Sequence, residues 1–359
     1  MRVPRSVSSS PAIIQSSIAG TTMMEIVVTS LAFIIAAFCA GLMGFAIQRG
    51  ATCTVAAVEE AVSKRRLNRL ISMIEASLWV VGGLLLAQSL HLLPKMPAAY
   101  AVNYLTVLGG VLLGLGAYVN GACVFGAIAR LGSGEWAYVV TPVGFYVGCL
   151  TVGTIFSPPP PSKLSGSSPL FDAAMWLAVL FAGFMLFRVV SPLLSAASDG
   201  ASQTFTQRLR ATLATRIWSP HAATAVIGIT FVVILLLIGG TWAYTDVLAE
   251  LARGMVGSLF ARIALVAALF LGALVGGYTA GRFRNTRIGA AQVAKCFAGG
   301  AMMAWGSLLI PGSNDGLILI GMPLLRPYAW LAFITMCVSI GAAKLAQKFF
   351  QREPVLQQS

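Results

Sequence analysis

The sequence predicts an all-α integral membrane protein with about nine transmembrane helices, broken or re-entrant segments, and an inverted pseudo-two-fold repeat. Of its 359 residues, 58% are hydrophobic and only 10% are charged, whereas soluble domains average about 25% charged residues. About 20 apolar residues in a helix cross a hydrocarbon core about 30 Å thick. The runs are apolar on all sides, unlike the alternating strands of a membrane barrel.

Nine stretches contain no Lys, Arg, Asp or Glu, and each predicts one span. They are residues 26–48, 76–94, 101–129, 136–162, 173–187, 222–245, 263–281, 296–314 and 327–343. The fifth needs flanking residues to reach across a bilayer. Every backbone polar group in lipid must be satisfied internally, which a continuous helix achieves.

The distribution of the spans predicts a chain in two transmembrane halves. Residues 1–23 form a polar N-terminal extension without the apolar core of a signal peptide. The first half is 24–192, a polar cytoplasmic linker is 193–221, and the second half is 222–348. Residues 349–359 form a C-terminal tail.

The basic residues predict an orientation. With nine spans and the N-terminus outside, 17 of the 24 Lys and Arg residues fall in cytoplasmic loops, as the positive-inside rule requires. The C-terminus is then cytoplasmic. The net charge of +13 therefore sits in short loops between spans, so we expect the lipid bilayer and not nucleic acid as its partner.

Two glycine-rich segments align without gaps. Residues 109–126 read GGVLLGLGAYVNGACVFG and residues 299–316 read GGAMMAWGSLLIPGSNDG, with four glycines in common and Cys123 opposite Ser313. The predicted topology runs the two copies in opposite directions, as in the inverted repeats of many transporters. The alternative is coincidence, because small residues recur wherever membrane helices pack closely.

Each copy ends in a polar or Gly/Pro break, at 120–123 and at 311–316. A third break follows the first span at 44–53, and its counterpart is predicted at 276–284 from position and Gly/Arg content. Non-helical backbone at membrane depth is tolerated only inside protein or along an aqueous cavity. Free N–H groups at a broken helix suit an anion, so the breaks predict a substrate pathway.

Three motifs occur in this order along the chain: GFAIQRGATC at 44–53, GGVLLGLGAYVNGACVFGAIARLGSG at 109–134 and KCFAGGAMMAWGSLLIPGSNDG at 295–316. Together they resemble the YeeE/YedE family of sulfur-transport membrane proteins, which includes bacterial thiosulfate uptake proteins. The resemblance covers roughly residues 30–150 and 265–345. It implies an importer in the bacterial inner membrane, with cysteines along a central path that pass a thiosulfate-like anion inward.

The resemblance also implies roles for particular residues. Cys53 matches the cysteine after the QR motif, and Cys123 matches the cysteine of the first glycine-rich motif. Ser313 stands where the second motif would carry a cysteine. A thiol is a weak hydrogen-bond donor that can hold and release a sulfur-bearing anion, whereas a serine is not a soft sulfur partner.

Other residues near the breaks are further candidates, each with a structural alternative. Asn120, Asn314 and Ser313 could donate to an oxyanion or merely bridge helices. Arg49 could face the pore or serve as a positive-inside anchor. The full predicted substrate-binding set is Cys53, Cys123, Ser313, Asn120, Asn314, Arg49, Asp315 and Cys296.

Two of these candidates are ionisable groups in apolar surroundings. Asp315 is the only acidic residue between Glu250 and Glu353, and an ionisable group at membrane depth is a functional candidate, although near an external mouth it could simply be solvated. Cys296 follows Lys295, and a nearby cation favours a thiolate. Packing remains the alternative for every cysteine.

The function predicted from these features is a transporter or channel-like facilitator that imports a small sulfur-containing anion, thiosulfate above all. No HExxH, P-loop, GxSxG or CxxC motif is present, so we expect no enzyme, cofactor or metal site. A cytoplasmic sulfur-accepting protein is a further expected partner. The rival interpretation is a non-transporting membrane anchor or scaffold for a sulfur-handling enzyme, which would not need glycine-broken helices.

Overall fold

The computed structural model describes residues 11–164, 168–172, 175–198, 217–254, 259–284 and 286–356, which are mainly helical. In chain order the helices are α1 (Pro11–Gly50), α2 (Thr54–Lys64), α3 (Asn68–Ser89), α4 (Tyr104–Asn120), α5 (Val124–Gly132), α6 (Val140–Phe156), α7 (Met175–Ser198), α8 (Pro220–Ile238), α9 (Tyr244–Ala252), α10 (Leu259–Thr279), α11 (Ala290–Leu309), α12 (Asn314–Gly316) and α13 (Pro327–Leu356).

Three smaller elements complete the described structure. A 3₁₀ turn, Trp136–Val139, leads into α6, and a π-helical turn, Leu317–Gly321, continues α12. Two short strands, β1 (Ala99–Tyr100) and β2 (Lys163–Leu164), pair antiparallel in the loops that precede α4 and follow α6.

The helices confirm an all-α, multi-pass membrane protein. Seven helical segments in the described residues are long and apolar enough to cross a bilayer, and an eighth is α11 with the Asn314–Gly321 segment, bent by 48° at the break. The fifth predicted span corresponds to a shorter apolar stretch, Trp176–Arg188. The count of nine therefore stays a prediction.

The predicted domain limits fall partly outside the described residues. Within the linker predicted at 193–221, residues 199–216 are not described, nor are 1–10 or 357–359 at the two ends. The part of the N-terminal extension that is described, from residue 11, belongs to α1. The predicted tail is helical as far as Leu356. The division into two halves stays a prediction.

Helices α4 and α11 cross antiparallel with their backbones in contact. A Cβ on Gly109 would lie 2.7 Å from the Gly306 carbonyl oxygen, and one on Gly306 would lie 2.5 Å from that of Gly109. Gly116 and Gly299 face each other in the same way, at 2.8 and 2.6 Å. Small residues are what allow membrane helices to approach so closely.

Helices from the beginning of the chain pack against helices from its end. Helix α1 packs on α8 and α10, and α3 packs on α8. Helix α4 packs on α11 and α13, while α11 also packs on α6. The core is therefore built by both halves together, so neither predicted half has a separate interior.

Four long helices are each followed by a short helix after a break. These short helices are α2, α5, α9 and α12, which follow α1, α4, α8 and α11. The break of α8 runs from Gly239, which has a left-handed φ of 67°, to Ala243. The predicted counterpart of the 44–53 break, at 276–284, contains the end of α10 at Thr279, but no short helix follows it in the described residues before α11. The fourth short helix follows 239–243, and which of these two breaks is the counterpart stays a prediction.

Glycines have two different uses near the end of α10. A Cβ on Gly277 would lie 1.8 Å from the carbonyl oxygen of Gly132, so Gly277 allows α10 to pack against the end of α5. Gly281, with a left-handed φ of 63°, follows the end of α10 at Thr279. Glycine content in the sequence does not separate these two uses.

The Gly116–Gly299 contact gives a test of this packing. We expect Gly299→Ala to destabilise the protein by about 1–3 kcal/mol, because the new methyl group would overpack the crossing. Gly183→Ala on α7 is the control, since a Cβ there meets nothing within 4 Å. Thermal unfolding in detergent measures both variants. Equal melting temperatures for Gly299→Ala and wild type would contradict the close crossing.

Candidate functional site

The starts of the four short helices form one hydrogen-bonded cluster, which we call the junction. It consists of Cys53, Thr54, Cys123, Thr245, Ser313, Asn314 and Asp315. Cys53, Cys123 and Ser313 are N-cap residues with extended backbone, and none of them caps its helix through its side chain. These three side chains are therefore not committed to helix capping.

The local sequence explains why the helices break here. Gly121 and Gly239 take left-handed backbone conformations, φ 75° and 67°, that end α4 and α8. Ala51 has φ 47° and lies between α1 and α2. A non-glycine residue in this region is strained by about 1–3 kcal/mol, a cost met most often at functional sites.

Thr54 connects three of the short helices. Its backbone N–H donates to the Cys123 Sγ atom over 3.1 Å, and its hydroxyl donates to Asn314 Oδ1 over 3.2 Å. Thr54, Cys123 and Asn314 are fully buried. Thus the first residue of α2 holds the N-cap of α5 and the first residue of α12 in one place.

One polar atom of the Asn314 side chain makes no hydrogen bond to the described residues. Its Nδ2 is buried and has no hydrogen-bond partner among the described residues. A buried donor without an acceptor is costly, and each such group in a folded protein needs an explanation. A bound anion at the junction would supply the missing acceptor.

A hydroxyl–carboxylate group forms the other side of the junction. The Thr245 hydroxyl donates to Asp315 Oδ1 over 2.6 Å, and the Gly316 N–H donates to the same oxygen over 3.1 Å. The Ser313 hydroxyl hydrogen-bonds with both Thr245 and Asp315. Asp315 is thus buried among hydrogen-bond donors. Ionisable side chains within a membrane protein are usually paired with polar partners in this way, and they often mark functional sites.

The two thiols lie together on the opposite side. The Cys53 and Cys123 side chains interact with each other. Cys123 is fully buried and Cys53 is half-buried. A Cβ on Gly126 would lie 2.4 Å from Cys53 Sγ, so glycine at this position makes room for the thiol.

Two cavities of about 250 Å³ each adjoin the junction. The first, the Asp246 cavity, is lined by Tyr100, which precedes α4, and by Gly312 and Gly316. The second, the Cys53 cavity, is lined by Cys53 and by Gly121, which follows α4. The two cavities therefore lie toward opposite ends of α4.

The cavities differ in charge. The Asp246 cavity is lined by Asp246, Glu250, Arg253 and Arg262. The Cys53 cavity is lined by Glu59, Arg69, Arg130, Glu135 and Arg282. Arg262 forms a salt bridge with Glu250, and Arg130 forms one with Glu135 at 3.1 Å. Basic groups thus outnumber acidic groups only in the Cys53 cavity.

Asp246 lies on α9, outside the membrane-spanning helices. Burial, together with the negative charges of Asp315 and Glu250, raises the pKa of Asp246 to about 7, against the lowering effect of Arg262 and Arg253. Its carboxyl group therefore changes charge close to neutral pH.

Asn120 has a structural role in the break. Its Nδ2 donates to the Ala122 carbonyl oxygen over 2.7 Å, and its Oδ1 accepts from the Thr141 hydroxyl over 2.9 Å. Its own carbonyl oxygen accepts from the Tyr138 hydroxyl over 3.2 Å. Because these bonds use its side chain to hold the turn after α4, Asn120 bridges elements as the structural alternative predicts.

Arg49 and Cys296 are not members of the junction, although Cys296 belongs to the buried cluster against which Cys53 packs. Arg49 is 1% exposed, donates to the Thr279 hydroxyl over 2.9 Å and stacks on Phe45, beside an apolar lateral groove between α1 and α10. Cys296 is fully buried against Tyr138 and accepts from Gln292 Nε2 over 3.4 Å. Its neighbour Lys295 is exposed.

Five of the eight residues predicted from the sequence lie in the junction. The sequence analysis missed Thr54 and Thr245, which also belong to the junction, and Asp246, which follows Thr245 in the chain. A signal for two of them was present. The short helices α2 and α9 carry the same Thr-x₄-Glu spacing, at Thr54–Glu59 and Thr245–Glu250. That pattern would have identified α9 as the fourth short helix.

Thiol accessibility tests the placement of the cysteines. In single-cysteine variants, we expect a small thiosulfonate reagent to modify Cys53 about ten-fold faster than Cys123 or Cys296, because Cys53 lines the Cys53 cavity whereas Cys123 and Cys296 are fully buried and reactivity follows exposure. Mass spectrometry of the folded protein measures the rates. Faster modification of Cys123 than of Cys53 would contradict the arrangement.

Comparison with known proteins agrees with the resemblance of the motifs. A family model described as sulphur transport matches residues 49–342, a range that contains the whole junction and all residues that line the two cavities except Gln48. Among curated proteins, no relative matches the chain. Because the matched range covers more than half of its length, the chain belongs to the sulphur transport family, in agreement with its resemblance to the YeeE/YedE proteins.

Proposed function

We propose that this protein imports a small sulfur-containing anion, with thiosulfate as the substrate, across the bacterial inner membrane. The observation that carries the proposal is the buried junction between two cavities, where thiols, hydroxyls and an unpartnered amide meet. The anion passes from the Asp246 cavity, through the junction, to the Cys53 cavity. In this path the substrate-binding residues are Cys53, Cys123, Asn314 and Ser313.

The chemistry of the junction suits such an anion. Thiosulfate has a soft terminal sulfur and three oxygens. Cys53 and Cys123 present polarisable sulfur atoms and weak S–H donors, and Asn314 Nδ2 is a stronger donor for an oxygen. Passage requires sites that bind well enough to admit the ion and weakly enough to release it, which these groups provide.

Ser313 occupies the position where the family resemblance implies a cysteine. Its hydroxyl takes part in the Thr245–Asp315 network. We therefore assign the thiol contacts to one side of the junction alone, at Cys53 and Cys123, and contacts with the oxygens of the anion to the Ser313 side.

An inverted repeat accounts for the arrangement. The alignment equates Gly109 with Gly299 and Gly116 with Gly306, and the observed contacts are Gly109 with Gly306 and Gly116 with Gly299. Such reciprocal contacts are what a two-fold axis generates. The shared Thr-x₄-Glu spacing of α2 and α9 supports the same axis, which would pass through the junction.

The orientation follows from the basic loops. With the N-terminus outside and the C-terminus in the cytoplasm, the Cys53 cavity faces the cytoplasm and the Asp246 cavity faces outside. Arg69, Arg130 and Arg282 then lie at the exit. They attract the anion inward and offer a basic surface to a cytoplasmic sulfur-accepting protein.

The rival function is a non-transporting anchor for a sulfur-handling enzyme. An anchor needs apolar helices and a docking surface. It does not need a buried donor without an acceptor or thiols next to a cavity at the centre of the helices. These features favour transport.

Uptake by proteoliposomes separates the two functions. We expect wild-type protein to accumulate labelled thiosulfate and Cys123→Ala and Cys53→Ala each to reduce the initial rate at least about ten-fold, which corresponds to about 1.4 kcal/mol of lost stabilisation at the junction. Cys337→Ala is the matched control, because Cys337 lies on α13 and lines neither cavity.

Two results would contradict the proposal. Full uptake by both junction variants would exclude the cysteines from the path. Absence of uptake by correctly folded wild-type protein, with folding checked by its melting temperature, would exclude thiosulfate import and favour the anchor.

A further inference from the structure

The route from the Asp246 cavity to the junction has an unexpected charge for the entrance of an anion. Two carboxyl groups lie along it: Asp246 on the cavity wall and Asp315 in the junction. With Glu250, Arg253 and Arg262 also counted, the group has a net charge of −1 when every member is ionised. A dianion that enters would meet like charge in poorly solvated surroundings, which is strongly unfavourable.

The surroundings of Asp246 do not remove this conflict. From α10, Arg262 reaches the region but forms a salt bridge with Glu250 and donates to the Thr241 carbonyl oxygen. Helix α12 brings Asp315, and α6 and α13 bring Cys149 and Tyr328, whose side chains also interact electrostatically with Asp246. Arg253, at the end of α9, is the other cation that interacts with Asp246 among the described residues, and Arg326 interacts with Tyr328 on the cavity wall.

An independent observation supports an anion site next to these carboxyl groups. The unpartnered, fully buried Nδ2 belongs to Asn314, which directly precedes Asp315 in the chain. An anion that accepts from this donor would lie close to the Asp315 carboxylate. By linkage, a bound anion raises the proton affinity of neighbouring carboxyl groups, and their protonation raises the affinity for the anion by the same factor.

We propose that the anion is imported together with protons, and that Asp246 and Asp315 are the proton-binding groups. This inference rests on the proposed function and adds the driving force for import of the anion. No bond of the substrate is made or broken. Each proton comes from water in the Asp246 cavity, binds a carboxylate oxygen as the anion enters, and leaves with the anion toward the Cys53 cavity.

The hydroxyl groups give the protonation step a structural effect. When Asp315 is ionised, the Thr245 hydroxyl donates to its Oδ1, and Ser313 is hydrogen-bonded to the same oxygen. When Asp315 carries a proton, it becomes a poorer acceptor, and the two hydroxyls are free to donate to the anion instead. Protonation thus removes a repelling charge and provides two donors at once.

The pH dependence follows from the titration of Asp246, whose pKa of about 7 makes it protonated below and ionised above neutrality. Thiosulfate is a dianion on both sides of pH 7, so the substrate itself does not change charge. If entry requires the protonated carboxyl group, the competent fraction falls about ten-fold between pH 6 and pH 8.

The experiment uses full-length protein in proteoliposomes with labelled thiosulfate outside and a pH-sensitive dye inside. At subsaturating thiosulfate and an internal pH of about 8, we expect uptake about ten-fold faster with the outside at pH 6 than at pH 8. Addition of thiosulfate should also acidify the lumen beyond the passive leak. A protonophore should abolish uphill accumulation.

The Asp246→Asn variant tests whether Asp246 is a proton-binding group. We expect this variant to lose the dependence on external pH and the thiosulfate-dependent acidification. Asp172→Asn is the matched control, because Asp172 is exposed and lies outside the Asp246 cavity; it should behave as wild type. If the Asp246→Asn variant does not fold, isothermal titration of wild-type protein with thiosulfate takes its place. The titration is repeated at pH 7 in buffers of different ionisation enthalpy, and we expect it to show proton uptake when thiosulfate binds.

The outcomes are distinguishable. Wild-type uptake that is equal at both external pH values and leaves the lumen pH unchanged would overturn proton coupling and leave thiosulfate import standing. An Asp246→Asn variant with wild-type pH dependence would overturn the assignment to this residue. Wild-type calorimetry that detects no proton uptake on binding would overturn proton coupling. Absence of thiosulfate uptake at any pH would overturn the proposed function and this inference with it.

Discussion

The hydrogen bonds of Thr54 are the interactions on which the rest of the site depends. Its N–H and hydroxyl connect Cys123 with Asn314, and so connect three of the four broken helices. A break at membrane depth leaves backbone groups that lipid cannot satisfy, so it must be buried in protein. The α4–α11 crossing does this, because four glycines allow two backbones to touch. A larger residue in the crossing would separate the helices that hold the junction.

The junction is chemically two-sided. Thiols lie on the side of the Cys53 cavity, and a serine, a threonine and a carboxylate lie on the side of the Asp246 cavity. Under the proposed inverted repeat, two related halves would place similar groups on both sides, and Cys123 and Ser313 are the aligned positions at which the two sides differ. We interpret this difference as two separate roles: the thiol side binds the soft sulfur of the anion, and the Ser313–Asp315 side controls the charge of the entrance.

Hydropathy was enough to predict the membrane fold, because long uncharged runs such as 101–129 have few other structural solutions. The glycine motifs were enough to find the breaks at Cys123 and Ser313. Sequence could not separate glycines that end a helix, such as Gly239, from glycines that permit packing, such as Gly277. It also could not show that Arg49 lies beside a lateral groove, since the direction of a side chain around a helix depends on its packing partners.

The central claim is that an anion binds at the junction, and an experimental structure with thiosulfate at saturating concentration tests it most directly. The account predicts density for the anion within hydrogen-bond distance of Asn314 Nδ2 and in contact with Cys123 Sγ, with the sulfur toward the thiols and the oxygens toward Ser313. An empty junction in a well-ordered structure, with thiosulfate bound only elsewhere, would contradict the account.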